Sequence, residues 1–309
     1  MSKEIQRTFI AGDDWLYFKI YGGPHTCDAI LAETILPVSE ALLAENIITK
    51  WFFIRYADPQ PHLRVRFLLS DPSLTARVIA QLNPHLREWL RDDLIWKVQT
   101  DTYQREIERY GPDSIELAEE IFYHDSVMIA TLVGLLGAQE GEHLRWLFGI
   151  RAIDSFLDAF DLDIAQKTGI MKILSEGFKQ EFGNSKSLKI QLDTRYRYER
   201  KRIEEIMQPA DAKHATPAVA QLHTLLVRKN EAIRPIAIQL RALFKTGKLQ
   251  TDLNNLLHSL IHMLMNRLFR SNNRLNEMVC YDFLHRYYKS STARQTKEKA
   301  IVVSAALQE

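Results

Sequence analysis

The chain has 309 residues, with 40 Lys+Arg against 39 Asp+Glu and a formal net charge of +1. Hydrophobic residues at 46% and charged residues at 26% describe an ordinary globular protein, and so long a chain buries enough surface to need no disulfide or structural metal. Near-zero charge removes the broad positive field that bulk nucleic-acid or anionic-membrane binding requires, so any anion has to be held by a local cluster.

The N-terminal MSKEIQRTFIAGDDW has no apolar run suited to a signal peptide, and no stretch of 18 apolar residues occurs. Cys27 and Cys280 are too isolated for a disulfide framework or a cysteine zinc site. A reducing, cytoplasmic location is the expectation.

Four β-type runs come first. Trp15–Tyr21 (WLYFKIY) and Trp51–Tyr56 (WFFIRY) are aromatic and β-branched, His62–Leu69 (HLRVRFLL) alternates, and Trp96–Tyr103 (WKVQTDTY) is a weaker fourth. Helical spacing fills Asp28–Glu45 between the first pair. It also fills Ser73–Asp93 between the second, with an SDPS cap-like start and an expected interruption at Pro84. The short ADPQPH loop suits a hairpin. The order β-α-β-β-α-β predicts an α+β fold with a four-stranded, mostly antiparallel, ferredoxin-like sheet packed with a C-terminal helical bundle.

From about Tyr110 the period becomes helical. GPDSIELAEEIFYHDSVMIATLVGLLG opens the series, followed by helices near Glu140–Phe160, Ile164–Phe182, Ser187–Gln208, Pro217–Lys245 and Asp252–Lys289, the last breaking near Ser271–Asn273. No repeat or low-complexity linker appears. We expect one domain over 1–292, sheet-rich over about 13–103 and helical over about 104–292, then a flexible tail over 293–309.

Strand parity puts Arg64 and Arg66 on one face and Leu63, Val65 and Phe67 on the other. With Arg55 on the neighbouring run they would make a fork-shaped receptor for a carboxylate or enolate oxygen. A solvated polar face is the more ordinary use of an Arg-x-Arg strand. Arg105 and Arg109 are four apart and would share a helix face, where charge pairing with Glu106 and Glu108 is the simpler explanation. His258 and His262 are spaced to ligate a metal, but no HExxH or third ligand accompanies them. Asn266 and Arg267 follow one turn later on a strongly apolar helix, so these polar groups need partners in an interior or a cleft. The basic aromatic run Arg195–Arg202 (RYRYERKR) reads better as a solvated helix face than as an RNA contact. Walker A, GxGxxG, GxSxG and CxxC patterns are missing from the sequence.

In chain order, DWLYFKIYGG, WFFIRYADPQPHLRVRF, DTYQREIERYGP followed by AEEIFYHDS, and SLIHMLMNRLF resemble the elimination domain of class I lanthipeptide dehydratases. Such domains occur also as stand-alone thiopeptide-type bacteriocin biosynthesis proteins. The resemblance covers about Asp13 to Tyr288.

It implies a lyase that releases glutamate from glutamylated serine or threonine of a precursor peptide, giving dehydroalanine or dehydrobutyrine. By motif, the catalytic residues fall on Arg64, Arg66, His262 and Arg105 or Arg109, with Arg55, Asn266 and Arg267 as substrate-binding neighbours. The resemblance implies no cofactor or metal. The partners are the precursor peptide and a separate tRNA-dependent glutamylating protein, without direct nucleic-acid or membrane contact, and a homodimer stays open.

Two departures stand out: ERYGG is ERYGP here, and the chain is expected to lack the large glutamylation domain. The residue types suit the chemistry. β-Elimination expels an already stable carboxylate, so it needs a base, a dock for the glutamyl group and donors for the enolate oxygen. His262 would be the base or its orienter. Two other readings remain, a cycloaddition that closes a nitrogen heterocycle between two dehydroalanines and a non-catalytic peptide-binding subunit. An RNA-binding module is a distant fourth.

Overall fold

The computed structural model describes residues 5–136, 141–208 and 217–306. The chain forms two compact units, 1–144 with 224–271 and 145–223 with 272–309. Helical spacing reveals amphipathic faces but not which helices share a core, so the composition of each unit comes from the fold itself.

The first unit is built on a four-stranded antiparallel sheet of β2 (Trp15–Gly22), β3 (Ile48–Tyr56), β4 (His62–Leu69) and β5 (Ile95–Thr100), in the order β3-β4-β2-β5. The fourth run ends early. Beyond Thr100 the chain turns, and β6 (Tyr103–Gln104) pairs instead with β1 (Thr8–Phe9) in a separate two-stranded sheet. Register sets the two faces of the main sheet. Arg66 lies opposite Tyr17 and Phe52, and Arg64 opposite Lys19 and Ile54, so the arginine pair shares one face. The other face carries Leu16, Phe18, Ile20, Trp51, Phe53, Leu63, Val65 and Phe67, all buried.

Between β2 and β3, Pro24 starts α1 (Pro24–Ile30) after Gly23, where its missing N–H costs nothing. The helix continues through a π turn, Leu31–Ile35, into α2 (Leu36–Ala44). Between β4 and β5, the Asp71 carboxylate accepts from the Ser73 N–H at 2.8 Å, ahead of α3 (Thr75–Arg91). Pro84 does not interrupt α3. It sits on the exposed face, where the carbonyl it leaves unbonded reaches water.

A single turn, α4 (Ile107–Tyr110), ends at Gly111, whose φ of 80° suits only glycine. Arg105 precedes that turn, so Arg105 and Arg109 do not share a helix face as expected. α5 (Ile115–Leu136) follows, and the unit is completed by most of α9 (Pro217–Lys245) and by α10 (Leu253–Leu268). Asp252 starts α10 by accepting from the N–H groups of Asn254 and Asn255 at 2.8 and 3.3 Å.

The second unit contains most of α6 (Gly141–Ala159), then α7 (Ile164–Glu181), α8 (Lys186–Met207) and α11 (Asn273–Ala306). The α6 start expected at Glu140 lies outside the described residues. A reciprocal Asp163–Gln166 capping box opens α7. The core includes Phe156 of α6, Phe160 just beyond its end, Met171 of α7, Ile203 of α8 and Phe283 and Leu284 of α11. Asp154 accepts from Lys167 at 2.8 Å and from the Tyr288 hydroxyl at 2.6 Å. The basic run lies on α8, where Arg200 and Arg202 pair with Glu204 and Glu199 at 3.2 and 3.1 Å. The expected tail is helical through Ala306, since residues 293–306 contain no proline or glycine to stop it.

Candidate active site

On the polar face of the sheet, Arg66 is 7% exposed and makes no hydrogen bond or ion pair with any described residue. It is enclosed by π faces instead, with its guanidinium carbon 4.4 Å from the Tyr17 ring, 4.7 Å from Tyr103 and 5.2 Å from Phe52. Tyr103 also packs edge-on against Trp15 at 5.4 Å and Phe52 at 5.9 Å, so the strand β6 that left the main sheet forms the lid of this cage. Burial lowers the pKa of Arg66, with Tyr103 and Tyr17 opposing and Arg64 adding. The group stays protonated at neutral pH all the same. A buried charge with no carboxylate in contact costs several kcal/mol, which π faces of about 0.5–2 kcal/mol each and the more distant field of Glu106 offset. An anion bound at this guanidinium would gain the contact that the described residues do not make.

Arg64 is half-buried and stacks its guanidinium 3.5 Å from the centre of the Tyr56 ring. Its Nε donates to His62 Nε2 at 3.1 Å, and its terminal nitrogens make no hydrogen bond with a described residue. The two strand arginines thus present unspent N–H groups on one face. The Tyr17 hydroxyl, on the strand between them and Lys19, is also without a partner among the described residues. Its pKa is raised by burial against the pull of Arg66, Arg64 and Lys19.

A second charge lies close by. Arg267 of α10 is fully buried and sits 4.6 Å from the Phe122 ring. Its Nε donates to Ser126 Oγ at 3.1 Å and its Nη1 to the Met263 carbonyl at 2.8 Å, while Nη2 has no partner. Burial pushes its pKa down to about 10, with Asp125 opposing and Arg66 adding to the depression.

Arg105 is buried as well, but it is spent. It forms a two-pronged ion pair with Glu119, both contacts 2.7 Å, and Tyr103 donates its hydroxyl to the same carboxylate at 2.7 Å. Burial opposes the charge on Arg105, and Glu119 outweighs it, raising the pKa. Arg105 therefore acts on the cage by holding Glu119, which holds Tyr103. Arg109 is exposed and pairs with Glu106 at 3.2 Å.

Register removes Arg55 from the expected fork of three guanidiniums. It lies opposite Leu63, on the apolar face, where Nη2 pairs with Asp28 at 2.5 Å and Nε donates to the Arg267 carbonyl at 2.8 Å. Asn266, expected beside substrate, bonds the backbone of β3. It accepts from Arg55 N at 2.9 Å and donates to Arg55 O at 3.0 Å. His262 is half-buried one turn earlier on α10, and burial lowers the pKa of His258. Among the described residues no group of three His, Cys, Asp or Glu is arranged to hold a metal.

The sequence reading missed the aromatic cage, Glu119 and His62. Parity along HLRVRF carried a signal for the last, since His62, Arg64 and Arg66 alternate onto one face. In a separate cavity of about 390 Å³, lined in part by His25, Asp28, Glu33, Gly134 and Arg270, Arg270 reaches His25 Nδ1 at 2.7 Å and Asp28 at 3.5 Å.

Comparison with known proteins gives this face a context. The subtilin biosynthesis protein SpaB of Bacillus subtilis is 24% identical over 283 residues, which is 89% of this chain and 26% of SpaB. The crystal structure of the tRNA-dependent lantibiotic dehydratase MibB from Microbispora sp. 107891 superposes with a TM-score of 0.73 and 25% identity, over 93% of this chain and 29% of MibB. The pyridine synthase TbtD from thiomuracin biosynthesis shares the fold, with a TM-score of 0.63 and 15% identity over 90% of this chain and 99% of TbtD. The chain thus spans about a quarter of the length of SpaB and rather more of MibB. Residues 15–288, which include both strand arginines, the Glu119–Arg105 pair and α10, match the lantibiotic biosynthesis dehydratase C-terminal model, and the chain belongs to that family.

Proposed function

We propose that this chain is a lyase that eliminates glutamate from O-glutamylated serine or threonine of a precursor peptide, leaving dehydroalanine or dehydrobutyrine. The observation that carries the reading is Arg66, a buried guanidinium caged by Tyr17, Phe52 and Tyr103 with no counter-ion among the described residues. In the step, a base takes the α-proton of the modified residue, the electron pair forms the Cα–Cβ double bond, and the Cβ–O bond breaks to release glutamate as its carboxylate. Negative charge passes through the carbonyl oxygen next to Cα. Arg66 stabilises it, helped by the preorganised N–H groups of Arg64, and Arg267 adds a positive potential. His262 is the base or orients it. Arg105 acts from behind, through Glu119 and Tyr103, and Arg109 is the rim charge that meets the peptide.

The family membership supports a role in lanthipeptide-type biosynthesis. The partners that follow are a glutamylated precursor peptide and a tRNA-dependent glutamylating protein, working in the cytoplasm. The strand order supports the finer architecture as well, because a β-α-β-β-α-β chain folded as β3-β4-β2-β5 is the split βαβ, ferredoxin-like arrangement.

The test is to mix the protein with a Ser-glutamylated peptide and follow free glutamate and the dehydrated product by mass spectrometry. Arg66→Ala should slow release by about 10²–10³-fold, the cost of one preorganised donor, and His262→Ala should stall as well. Full activity in both variants would sink the elimination reading. Product formation only from a peptide bearing two dehydroalanines would replace it with cycloaddition.

A further inference from the structure

We propose that His62 is a positioning residue, which holds Arg64 in its receptor geometry by accepting a hydrogen bond from the guanidinium; this rests on the elimination reading above. His62 opens β4 and is 2% exposed. Its ring stacks on Tyr21 at 4.6 Å with 28° between the planes, and lies 5.5 Å from the Tyr56 ring. Its Nδ1 lies 2.8 Å from the Gln60 carbonyl and its Nε2 lies 3.1 Å from Arg64 Nε.

These two contacts fix the tautomer. An arginine Nε only donates, so His62 Nε2 has to accept, and the ring proton is left on Nδ1, where it is donated to Gln60. Gln60 is itself held, because its side-chain oxygen accepts from Trp96 Nε1 at 2.9 Å. The chain Trp96–Gln60–His62–Arg64 fixes the Nε end of the guanidinium while Tyr56 fixes its plane. Both terminal nitrogens are left for a ligand.

Only the neutral imidazole can do this. Protonation would set an Nε2–H against the Arg64 Nε–H and break the contact. The charged groups around the ring all oppose protonation: Arg64 on β4, Lys19 on β2, and Lys97 on β5, which lies 5.1 Å from the Tyr21 ring. The phenols of Tyr21 and Tyr56 face it from β2 and β3. Asp101, which also feels Arg64, is paired with Lys19. Burial, with Arg64 and Lys19 adding and the Gln60 bond opposing, lowers the imidazole below the ordinary histidine value. The clamp is therefore intact at neutral pH and opens in mild acid.

Two variants separate the roles. His62→Gln keeps an acceptor near the Nε2 position but does not titrate, and His62→Phe keeps a ring on Tyr21 with no acceptor. The probe is a peptide carrying glutamate through an amide on diaminopropionate, which binds without elimination, so that the proton-abstraction step does not enter the readout. Loss of one orienting hydrogen bond corresponds to about a tenfold change in affinity. Wild type should weaken progressively as pH falls below 6.5, approaching about tenfold only once the imidazole is fully protonated, His62→Gln should stay flat, and His62→Phe should bind about tenfold more weakly throughout. In ¹⁵N-histidine spectra, His62 should carry its proton on Nδ1, and Arg64→Ala should raise its titration midpoint. Wild-type affinity in His62→Phe, a shared pH profile for wild type and His62→Gln, or a proton on Nε2 would each overturn the proposal. Wild type that releases no glutamate from the ester peptide would instead overturn the elimination reading, and the proposal with it.

Discussion

Two buried guanidiniums on one side of the sheet are treated in opposite ways. Arg105 is 5% exposed and Glu119 1%, and the carboxylate satisfies it through two contacts of 2.7 Å. Arg66 has three rings and no carboxylate. Their stability effects should therefore have opposite signs. Glu119→Gln strands the Arg105 charge and should cost about 3 kcal/mol in urea unfolding, at the lower end for breaking a buried pair. Arg66→Met replaces an unpaired charge with an apolar group of similar length and should leave stability unchanged or higher while activity falls. An Arg66→Met protein that unfolds as easily as Glu119→Gln would mean that Arg66 has a partner in the folded chain. Parity made the Arg64–Arg66 pair legible in the sequence. It could not reveal the cage, whose parts come from β2, β3 and the short β6, and nothing local marks Glu119 as the group that commits Arg105.

At the scale of elements, α10 and α5 act on the edge strand β3 through two polar side chains. Asn266 satisfies both the N–H and the carbonyl of Arg55, and Ser126 accepts from Phe53 N at 3.1 Å as well as from Arg267. Asn266→Ala should leave two backbone groups unsatisfied and cost about 1–3 kcal/mol. Hydrogen exchange should show the Arg55 amide losing protection before the amides of β2; uniform protection across the sheet would contradict the assignment. An amide on an apolar helix needs a partner, and residue type and position alone point for Asn266 to a cleft or an interior. The sequence could not say that the partner is backbone 211 positions away. Strands β2 to β4 were legible because aromatic and alternating runs are local. The π turn, the unbroken passage through Pro84 and the β6 detour depend on packing and were not.

At the scale of the whole molecule, burial lowers the pKa of four histidines among the described residues: His62, His124 and His258 in the first unit and His285 in the second. A folded histidine with a depressed pKa stays neutral where its unfolded counterpart, near 6.5, takes a proton. The unfolded chain then binds more protons, so this stability is complete above about pH 6.5 and is lost as pH falls through the folded values. Thermal melts should show little change from pH 8 to 7 and a steady decline from 6.5 to 5.5, before ordinary carboxylates titrate. A melting temperature that rises across that window would contradict the assignment. Which helices pack together in each unit was not legible, because each helix shows an apolar face without an address for it.

The capped edge at β3 has a consequence for how copies of the sheet can meet. Asn266 and Ser126 occupy the outward N–H groups of Phe53 and Arg55 and the Arg55 carbonyl, so this end of β3 offers no uninterrupted row of donors and acceptors. At the opposite end β5 is uncovered among the described strands and exposes Trp96, Lys97 and Gln99. Toward other strands the two edges are therefore unequal: an added strand finds its backbone partners along β5, not along the Phe53–Arg55 stretch of β3, where side chains of the same chain already stand in for a neighbour.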